Sequence, residues 1–168
     1  MPIPINRGGP LFNPPGITWN PVSPKLATAR LIVLAICFGP FIVAGVVAAL
    51  ATGIGWIYLP TALLLVIALW LAWLIVRGVK ATGYAEQADD LLIRGGIMFL
   101  RLSLVPYGRL QFVDVTMGPL DRALKLAKVT MRTAAAGLTV TVPGLPPEEA
   151  AHLRDQLASL GQVQQAGL

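Results

Sequence analysis

Charge is scarce in this sequence of 168 residues: charged side chains make up 12% of it, and hydrophobic ones make up 55%. An average soluble protein carries charge on about a quarter of its residues. Acidic residues are missing before Glu86, so the only charged residues of the first half are cations: Arg7, Lys25, Arg30, Arg77 and Lys80. The shortage favours a protein that resides in a bilayer, with room for about one folded domain outside it.

Cysteine and histidine occur once each. The single cysteine, Cys37, excludes an intrachain disulfide and a thiolate cage for a metal. Because it lies in an apolar run, we expect it to be buried and inert. His152 is the only histidine, so any acyl-transfer triad would have to use it with one of three serines. We expect a solvated helix histidine, and neither a metal site nor a cofactor.

Other signatures of catalysis are also missing. The sequence contains no Gly-x-Ser-x-Gly motif and no glycine-rich phosphate loop followed by lysine. Asp89 and Asp90 are adjacent, and adjacent side chains on an extended chain point to opposite faces. We interpret this pair as part of a turn, and we expect that the protein is not an enzyme.

The net charge of +5 raises the question of nucleic acid. After residue 80, eight cations are balanced by eight acids, so the folded part of the chain is formally neutral. A protein that binds nucleic acid would carry its positive excess on the folded domain. We therefore expect no nucleic-acid partner.

Two uncharged stretches are long enough to cross a bilayer. As helices, residues 31–52 would extend about 33 Å and residues 57–76 about 30 Å, which matches the hydrocarbon core. Only residues 53–56 separate them, so a tight hairpin of two transmembrane helices is predicted over residues 29–80. Pro40 and Pro60 are tolerated in membrane spans.

The flanking charges predict the orientation of this hairpin. Cations precede the first span and follow the second, whereas the turn between the spans carries no charge. Positive flanks stay in the cytoplasm, so both chain termini should be cytoplasmic. Trp56 and Tyr58 would then mark the outer interface, and Trp70 and Trp73 the inner one.

Small residues recur at every fourth position of the first span, at Gly45, Ala49 and Gly53. Such a stripe permits close helix packing. The simplest interpretation is that it packs the two spans together, and the alternative is a contact between copies in an oligomer.

The N-terminal segment, residues 1–28, holds seven of the fourteen prolines. Such a composition builds neither a helix nor a sheet ladder, so a mobile tail is predicted, with docking on a partner as the alternative. Ala49–Ala51 resembles a signal-peptide cleavage site, but the apolar run is too long for a signal peptide and a second span follows at once.

Beyond residue 80 the apolar residues alternate with polar ones, which is typical of half-buried strands. Leu91–Ile93 predicts one strand and Gly95–Gly96 a two-residue turn. The next strand is predicted over 98–104, with Met98, Leu100, Leu102 and Leu104 on its inner side. Further alternation predicts strands at 113–117, 127–132 and 138–142, with a short helical connection over 120–126.

A helix is predicted from Pro147 to a stop at Gly161. Glu148 and Glu149 in its first turn suit the helix dipole, and its apolar face comprises Ala150, Leu153, Leu157 and Leu160. The fold class is therefore a membrane hairpin of two transmembrane helices plus a small mainly-β domain over residues 81–160. We expect about six antiparallel strands in a roll or partly open barrel, capped by this C-terminal helix, with residues 161–168 as a tail.

Several segments within residues 19–158 resemble a known family, the bacterial pleckstrin-homology-like, membrane-flanked domain family, and within it the YdbS-like membrane proteins. The most specific of these segments is Val105–Asp114. The looser ones are Gly83–Tyr84, Leu92–Gly96, Gly118–Arg122 and Val129–Ala134. Gly108 departs from the family pattern, which usually has a second arginine before Arg109, and this makes the loop less basic here.

The resemblance implies a seven-stranded pleckstrin-homology-like roll with a C-terminal helix. One strand would then be hidden in the alternation pattern, near residues 84–87. The resemblance also implies a bacterial cytoplasmic membrane protein that acts in envelope-linked assemblies and has no established enzymatic activity.

Two constellations are candidates for binding. The first comprises Pro106, Tyr107, Arg109, Gln111 and Asp114, which we interpret either as a surface for a partner protein or as a strand break in which Arg109 pairs with Asp114. The second comprises Arg122, Lys125, Lys128 and Arg132. Cations near the cytoplasmic leaflet each contribute about 1 kcal/mol toward anionic lipid, and the alternative is a solvated face partly neutralised by Asp121.

These observations predict a non-enzymatic, membrane-anchored adaptor or accessory subunit. It would bind other membrane proteins of one envelope complex, as part of a homo- or hetero-oligomer. The alternative is a module that binds anionic phospholipid headgroups at the inner leaflet.

Overall fold

The computed structural model describes residues 16–97, 99–133 and 139–166, with side chains described up to residue 160. The helices are α1 (Lys25–Thr52), α2 (Tyr58–Lys80), α3 (Pro119–Ala123) and α4 (Pro147–Ala166). The strands are β1 (Asn20–Pro21), β2 (Gly83–Glu86), β3 (Asp90–Gly95), β4 (Arg101–Pro106), β5 (Leu110–Thr116), β6 (Ala127–Thr133) and β7 (Thr139–Leu145). Residues 27–77 form one compact unit, and the described residues on either side of them form another.

The first unit is the helical hairpin, and its helices α1 and α2 are both long and apolar enough to cross a membrane. α1 begins at Lys25, so the predicted tail boundary at residue 28 falls inside a helix. α1 continues through Pro40, whereas Pro60 lies in the first turn of α2, where a missing N–H leaves no bond unmade. Cys37 is exposed on α1, so the expectation of a buried thiol was wrong; an apolar helix in a bilayer presents such side chains to lipid.

The residues of the small-residue stripe, Gly45, Ala49 and Gly53, have two different roles. A Cβ placed on Gly45 would overlap the side chain of Thr61 on α2, so the two helices approach each other closely at this glycine. Ala49 is buried. Gly53 lies beyond the end of α1 with a φ of 67°, and its N–H donates to the Ala49 carbonyl at 3.1 Å. Gly53 therefore ends the helix, because a left-handed residue is favoured at that position.

The second unit contains two antiparallel sheets, with strand orders β1-β2-β3-β4 and β5-β6-β7. β2 confirms the strand implied near residues 84–87. The seventh strand is β1, which precedes the helical hairpin and pairs with β2 through Asn20↔Tyr84 and Pro21↔Gly83. This strand was not predicted, because proline-rich sequence argues against a ladder. The β domain is thus assembled from both flanks of the hairpin.

α4 packs against β5, β6 and the turn at residues 107–109, and the buried side chains of the domain come from both sheets and from α4. Along β6 every second residue is buried, as predicted, and Val129 and Met131 are fully inaccessible. Ala150, Leu153 and Leu157 of α4 are also buried, which confirms the predicted apolar face of this helix.

Three local predictions were wrong. The connection between β3 and β4 spans residues 96–100 and is not a two-residue turn, because the ladder ends at the pair Gly95↔Arg101. Leu104 is 55% exposed whereas Val105 is buried, so the inward side of β4 is the opposite of the predicted one at this end. α4 runs through Gly161 to Ala166. Met98 and Leu138, predicted to face inward, lie outside the described residues, as do residues 1–15 of the predicted tail.

Candidate functional site

Tyr107, one of the five residues of the first candidate constellation, is a core residue. It lies in a 3₁₀ turn (Tyr107–Arg109) between β4 and β5 and is fully inaccessible. Its hydroxyl donates to the Gln87 carbonyl at 3.0 Å, and its backbone N–H donates to the Asp89 carbonyl at 3.1 Å. Tyr107 therefore fixes the turn between β2 and β3, in agreement with the interpretation of Asp89–Asp90 as part of a turn.

Burial controls the acid–base behaviour of the two tyrosines in this domain. Burial raises the pKa of Tyr84 to about 12, and the nearby carboxylates of Glu149 and Glu86 oppose its ionisation further. The pKa of Tyr107 is raised mainly by burial, and the nearby carboxylates of Glu86, Asp90 and Asp89 act in the same direction. Both phenols stay protonated at neutral pH, so neither serves as a base there.

The remaining members of the first constellation lie in three successive elements: β4, the 3₁₀ turn and β5. Pro106 ends β4, opposite Asp90 on β3. Arg109 and Gln111 are exposed on either side of buried Leu110. The ion pair that the structure describes joins Arg154 to Asp155 at 2.7 Å, and within the described residues none joins Arg109 to Asp114. The alternative interpretation of a local Arg109–Asp114 pair was therefore wrong.

Asp114 belongs to a different surface, the outer face of the second sheet. Partners in an antiparallel ladder point their side chains to the same face. The outward pairs of β5 and β6 are Phe112↔Arg132, Asp114↔Thr130 and Thr116↔Lys128. We call the surface of these six residues the basic face; it brings two residues of the second constellation together with one of the first.

The basic face continues onto β7 with polar and small side chains. Arg132 pairs with Thr139, Thr130 with Thr141, and Lys128 with Pro143. Lys128 and Arg132 are exposed and lie four residues apart on one strand, about 13 Å at the rise of an extended chain. Phe112 is 57% exposed and is the only large apolar side chain among the six residues of the basic face.

The other two cations, Arg122 and Lys125, lie in and just after α3, in the connection between β5 and β6. Lys125 has a φ of 54°. The Leu126 N–H donates to the Asp121 carbonyl at 2.8 Å, and the Lys125 N–H donates to the Arg122 carbonyl at 3.2 Å. These two bonds form a Schellman motif, whose left-handed position usually holds glycine.

All four cations of the second constellation are exposed, and none forms an ion pair in the part of the chain that the structure describes. Two acids lie nearby. Asp121 accepts a bond from the Gly118 N–H at 3.2 Å, which caps α3, and Asp114 lies on the basic face itself. The region therefore keeps a formal charge of +2, which suits an anionic surface.

A further contact region, the N-terminal strap (residues 19–26), joins both sheets of the domain. Arg94 of β3 lies over the ring of Trp19, 4.4 Å from its centroid. The Ser23 N–H donates to the Gly144 carbonyl on β7 at 2.9 Å. Gly144 has a φ of 74°, and a Cβ there would overlap Leu26. The strap is therefore an integral part of the domain.

His152 is exposed on α4, as predicted. Among the described residues, no group of three or more His, Cys, Asp or Glu side chains is arranged to hold a metal ion.

Sequence reasoning missed Phe112 and the strap. Phe112 has the same parity as Asp114 and Thr116, so alternation along β5 could have placed it on the outer face. Trp19 and Arg94 gave no local signal, because the helical hairpin separates them in the chain.

Comparison with known proteins gives one family and one relative. A sequence model of the family described as "Bacterial PH domain" matches residues 26–161. The "UPF0699 transmembrane protein YdbS" of Bacillus subtilis (strain 168) is 36% identical over 84 residues, which are 50% of this chain and 52% of that protein. The match thus spans about half the length of this curated relative. No solved structure matches the chain.

Proposed function

The chain belongs to the bacterial PH domain family, and from this premise we propose that it is a non-enzymatic adaptor anchored in the bacterial cytoplasmic membrane. In this proposal the hairpin of two transmembrane helices holds the PH-like domain at the inner leaflet, and the domain binds other membrane proteins of the cell envelope. Both chain termini are cytoplasmic.

The pairing of β1 with β2 supports the proposal that both chain termini lie on the same side of the membrane. β1 ends four residues before α1 begins, and β2 starts shortly after α2 ends. Strands that form one ladder must lie on the same side of a membrane, so the N-terminal flank of α1 and the C-terminal flank of α2 belong together. The cations of these flanks favour the cytoplasmic side.

The observation that carries the adaptor function is the pair of edge strands, β4 and β5, which the 3₁₀ turn at Tyr107–Arg109 connects. Leu104 of β4 is large, apolar and exposed on its edge strand. An open edge accepts another chain, and the middle of β4, Leu102–Val105, carries neither the charge nor the proline that commonly protects an edge. Arg109 and Gln111, which are exposed next to this edge, would provide the polar contacts.

Purification in several mild detergents, with mass spectrometry of the co-eluting proteins, tests the adaptor function. We expect the wild-type protein to recover specific membrane proteins. The double variant Arg109→Ala/Gln111→Ala should recover less of them, whereas the control Arg154→Ala should match the wild type, because Arg154 is an exposed arginine on α4 that already pairs with Asp155. Recovery of the lone monomer in every detergent would contradict the proposal.

Binding of anionic phospholipid is a second candidate function. It is favoured by the four exposed cations Arg122, Lys125, Lys128 and Arg132. Full-length protein in phosphatidylcholine nanodiscs should bind phosphatidylglycerol vesicles at low salt, and reversal of all four cations to acids should abolish this binding. Equal binding to neutral and anionic vesicles would contradict this function.

A further inference from the structure

We propose that Phe112 is a membrane anchor: with Arg132 and Lys128 beside it, it inserts its ring into the interface of an anionic bilayer. This inference rests on the second function proposed above and names the apolar contact that accompanies the cations. The juxtaposition that carries it is the cross-strand pair Phe112↔Arg132 on the exposed basic face.

The composition of the face distinguishes Phe112 from an ordinary exposed side chain. Its neighbours on the outer face of the second sheet include Thr116, Thr130, Thr139 and Thr141. Threonine suits a solvated strand as well as phenylalanine does, so strand formation does not require an aromatic ring here. A ring that is 57% exposed beside two cations combines the two contributions by which peripheral surfaces bind membranes, apolar burial and attraction to anionic lipid.

The charges around Phe112 favour an anionic bilayer as the surface that binds this face. Lys128 and Arg132 flank Asp114 on the face, and Arg122 and Lys125 extend the cationic surface past the end of the ladder that contains the pair Thr116↔Lys128. An apolar protein surface would leave these cations without counter-charges, whereas lipid phosphates supply them at the depth where an aromatic ring is stable.

An environment-sensitive fluorophore tests the insertion directly in the full chain. In a Cys37→Ser background, Phe112→Cys is labelled with nitrobenzoxadiazole and reconstituted in nanodiscs of phosphatidylcholine with or without phosphatidylglycerol. We expect a blue shift and a gain in emission with the anionic lipid, either in the discs themselves or after addition of anionic vesicles. The added substitutions Lys128→Glu and Arg132→Glu should remove the change. No change under either condition would overturn the inference.

Phe99 provides the matched control, because it is 78% exposed but lies in the connection between β3 and β4, outside the basic face. Phe112→Thr should weaken binding of the nanodisc-embedded protein to anionic vesicles about tenfold, and Phe99→Thr should leave it unchanged.

The outcomes separate the inference from the function on which it rests. Wild-type protein without preference for anionic vesicles would overturn both. If the wild type prefers anionic vesicles and Phe112→Thr binds them as tightly as the wild type does, only the proposed role of Phe112 is overturned. If Phe112→Thr loses a co-purifying protein but keeps its affinity for vesicles, Phe112 contacts a protein and the membrane-anchor role is overturned.

Discussion

At residue 125 a lysine occupies the left-handed position of a Schellman motif, with a φ of 54°. A side chain with a Cβ in this conformation costs about 1 kcal/mol relative to glycine. Such strain persists where the side chain has another role, and here that role would be the charge that Lys125 adds beside the basic face.

Replacement of this lysine should separate strain from charge. Lys125→Gly should raise the free energy of unfolding by about 1 kcal/mol, because it relieves the strained backbone. Lys125→Ala is the control, since it removes the charge but keeps the Cβ. Thermal unfolding of the full chain in detergent, followed by circular dichroism, measures both; equal stability of the two variants would contradict the assigned backbone geometry.

Tyr84 makes stability depend on pH in the alkaline range. Its pKa is raised to about 12 by burial and by the carboxylates of Glu149 and Glu86, whereas an unfolded tyrosine ionises near pH 10. Below pH 10 both states keep the proton. Between pH 10 and 12 the unfolded state releases it first, so stability falls as the pH rises.

Tyr84→Phe should therefore flatten the loss of stability between pH 10 and 12. Midpoints of urea unfolding, compared for variant and wild type at pH 8 and at pH 11, give the measurement. If the difference between the two proteins is the same at both pH values, the phenol does not titrate as described.

At the scale of the elements, Gly45 brings the two spans into contact. A larger residue would displace Thr61, whose hydroxyl donates to the Ile57 carbonyl at 3.0 Å. Gly45→Val should destabilise the hairpin by about 1–3 kcal/mol through overpacking. Gly39→Val on the same helix is the control, because a Cβ at Gly39 has no neighbour within 4 Å. Resistance to unfolding in SDS should fall for the first variant only.

The N-terminal strap is the second element with a testable role. Gly144 has a left-handed backbone conformation, and a Cβ at this position would overlap the side chain of Leu26. Gly144→Ala should destabilise the β domain by about 2 kcal/mol or more, since Ala is strained at a positive φ and the contact is already close. A shift of thermal midpoint no larger than that of Gly55→Ala, at an open position, would show that the strap does not pack as described.

Local periodicity predicts much of this fold. The two apolar runs, the alternation along β6 and the buried face of α4 follow from near neighbours in the chain, and the structure contains all three. The predictions failed where the structure depends on contacts between segments that are distant in the chain. The register of β4 depends on its pairing with β3, and β1 exists because β2 offers it an edge.

For the candidate sites too, the features that depend on local sequence were predictable and those that depend on distant residues were not. The exposed cations were predictable, since each lies at a polar position of its own element. Tyr107 was not, because the Gln87 carbonyl that binds its hydroxyl belongs to a turn twenty residues earlier in the chain. The grouping of Asp114 with Lys128 and Arg132 depends on a cross-strand register that the sequence of one strand does not contain.

At the scale of the whole molecule, the helical hairpin interrupts the β domain between its first and second strands. The β domain is therefore complete only when the residues before the hairpin pair with those after it, as β1 does with β2. A fragment of residues 81–168 should unfold at a lower temperature than the domain in the full chain, because it lacks β1 and the buried side chain of Val22.

Cysteine accessibility in intact cells is the most direct test of this architecture. In a Cys37→Ser background, single cysteines replace Asn20, Trp56 and Lys128, all of which are exposed. A membrane-impermeant maleimide should label position 56 from outside, and positions 20 and 128 only after the membrane is permeabilised. Labelling of position 128 in intact cells, or opposite behaviour of positions 20 and 128, would contradict the account.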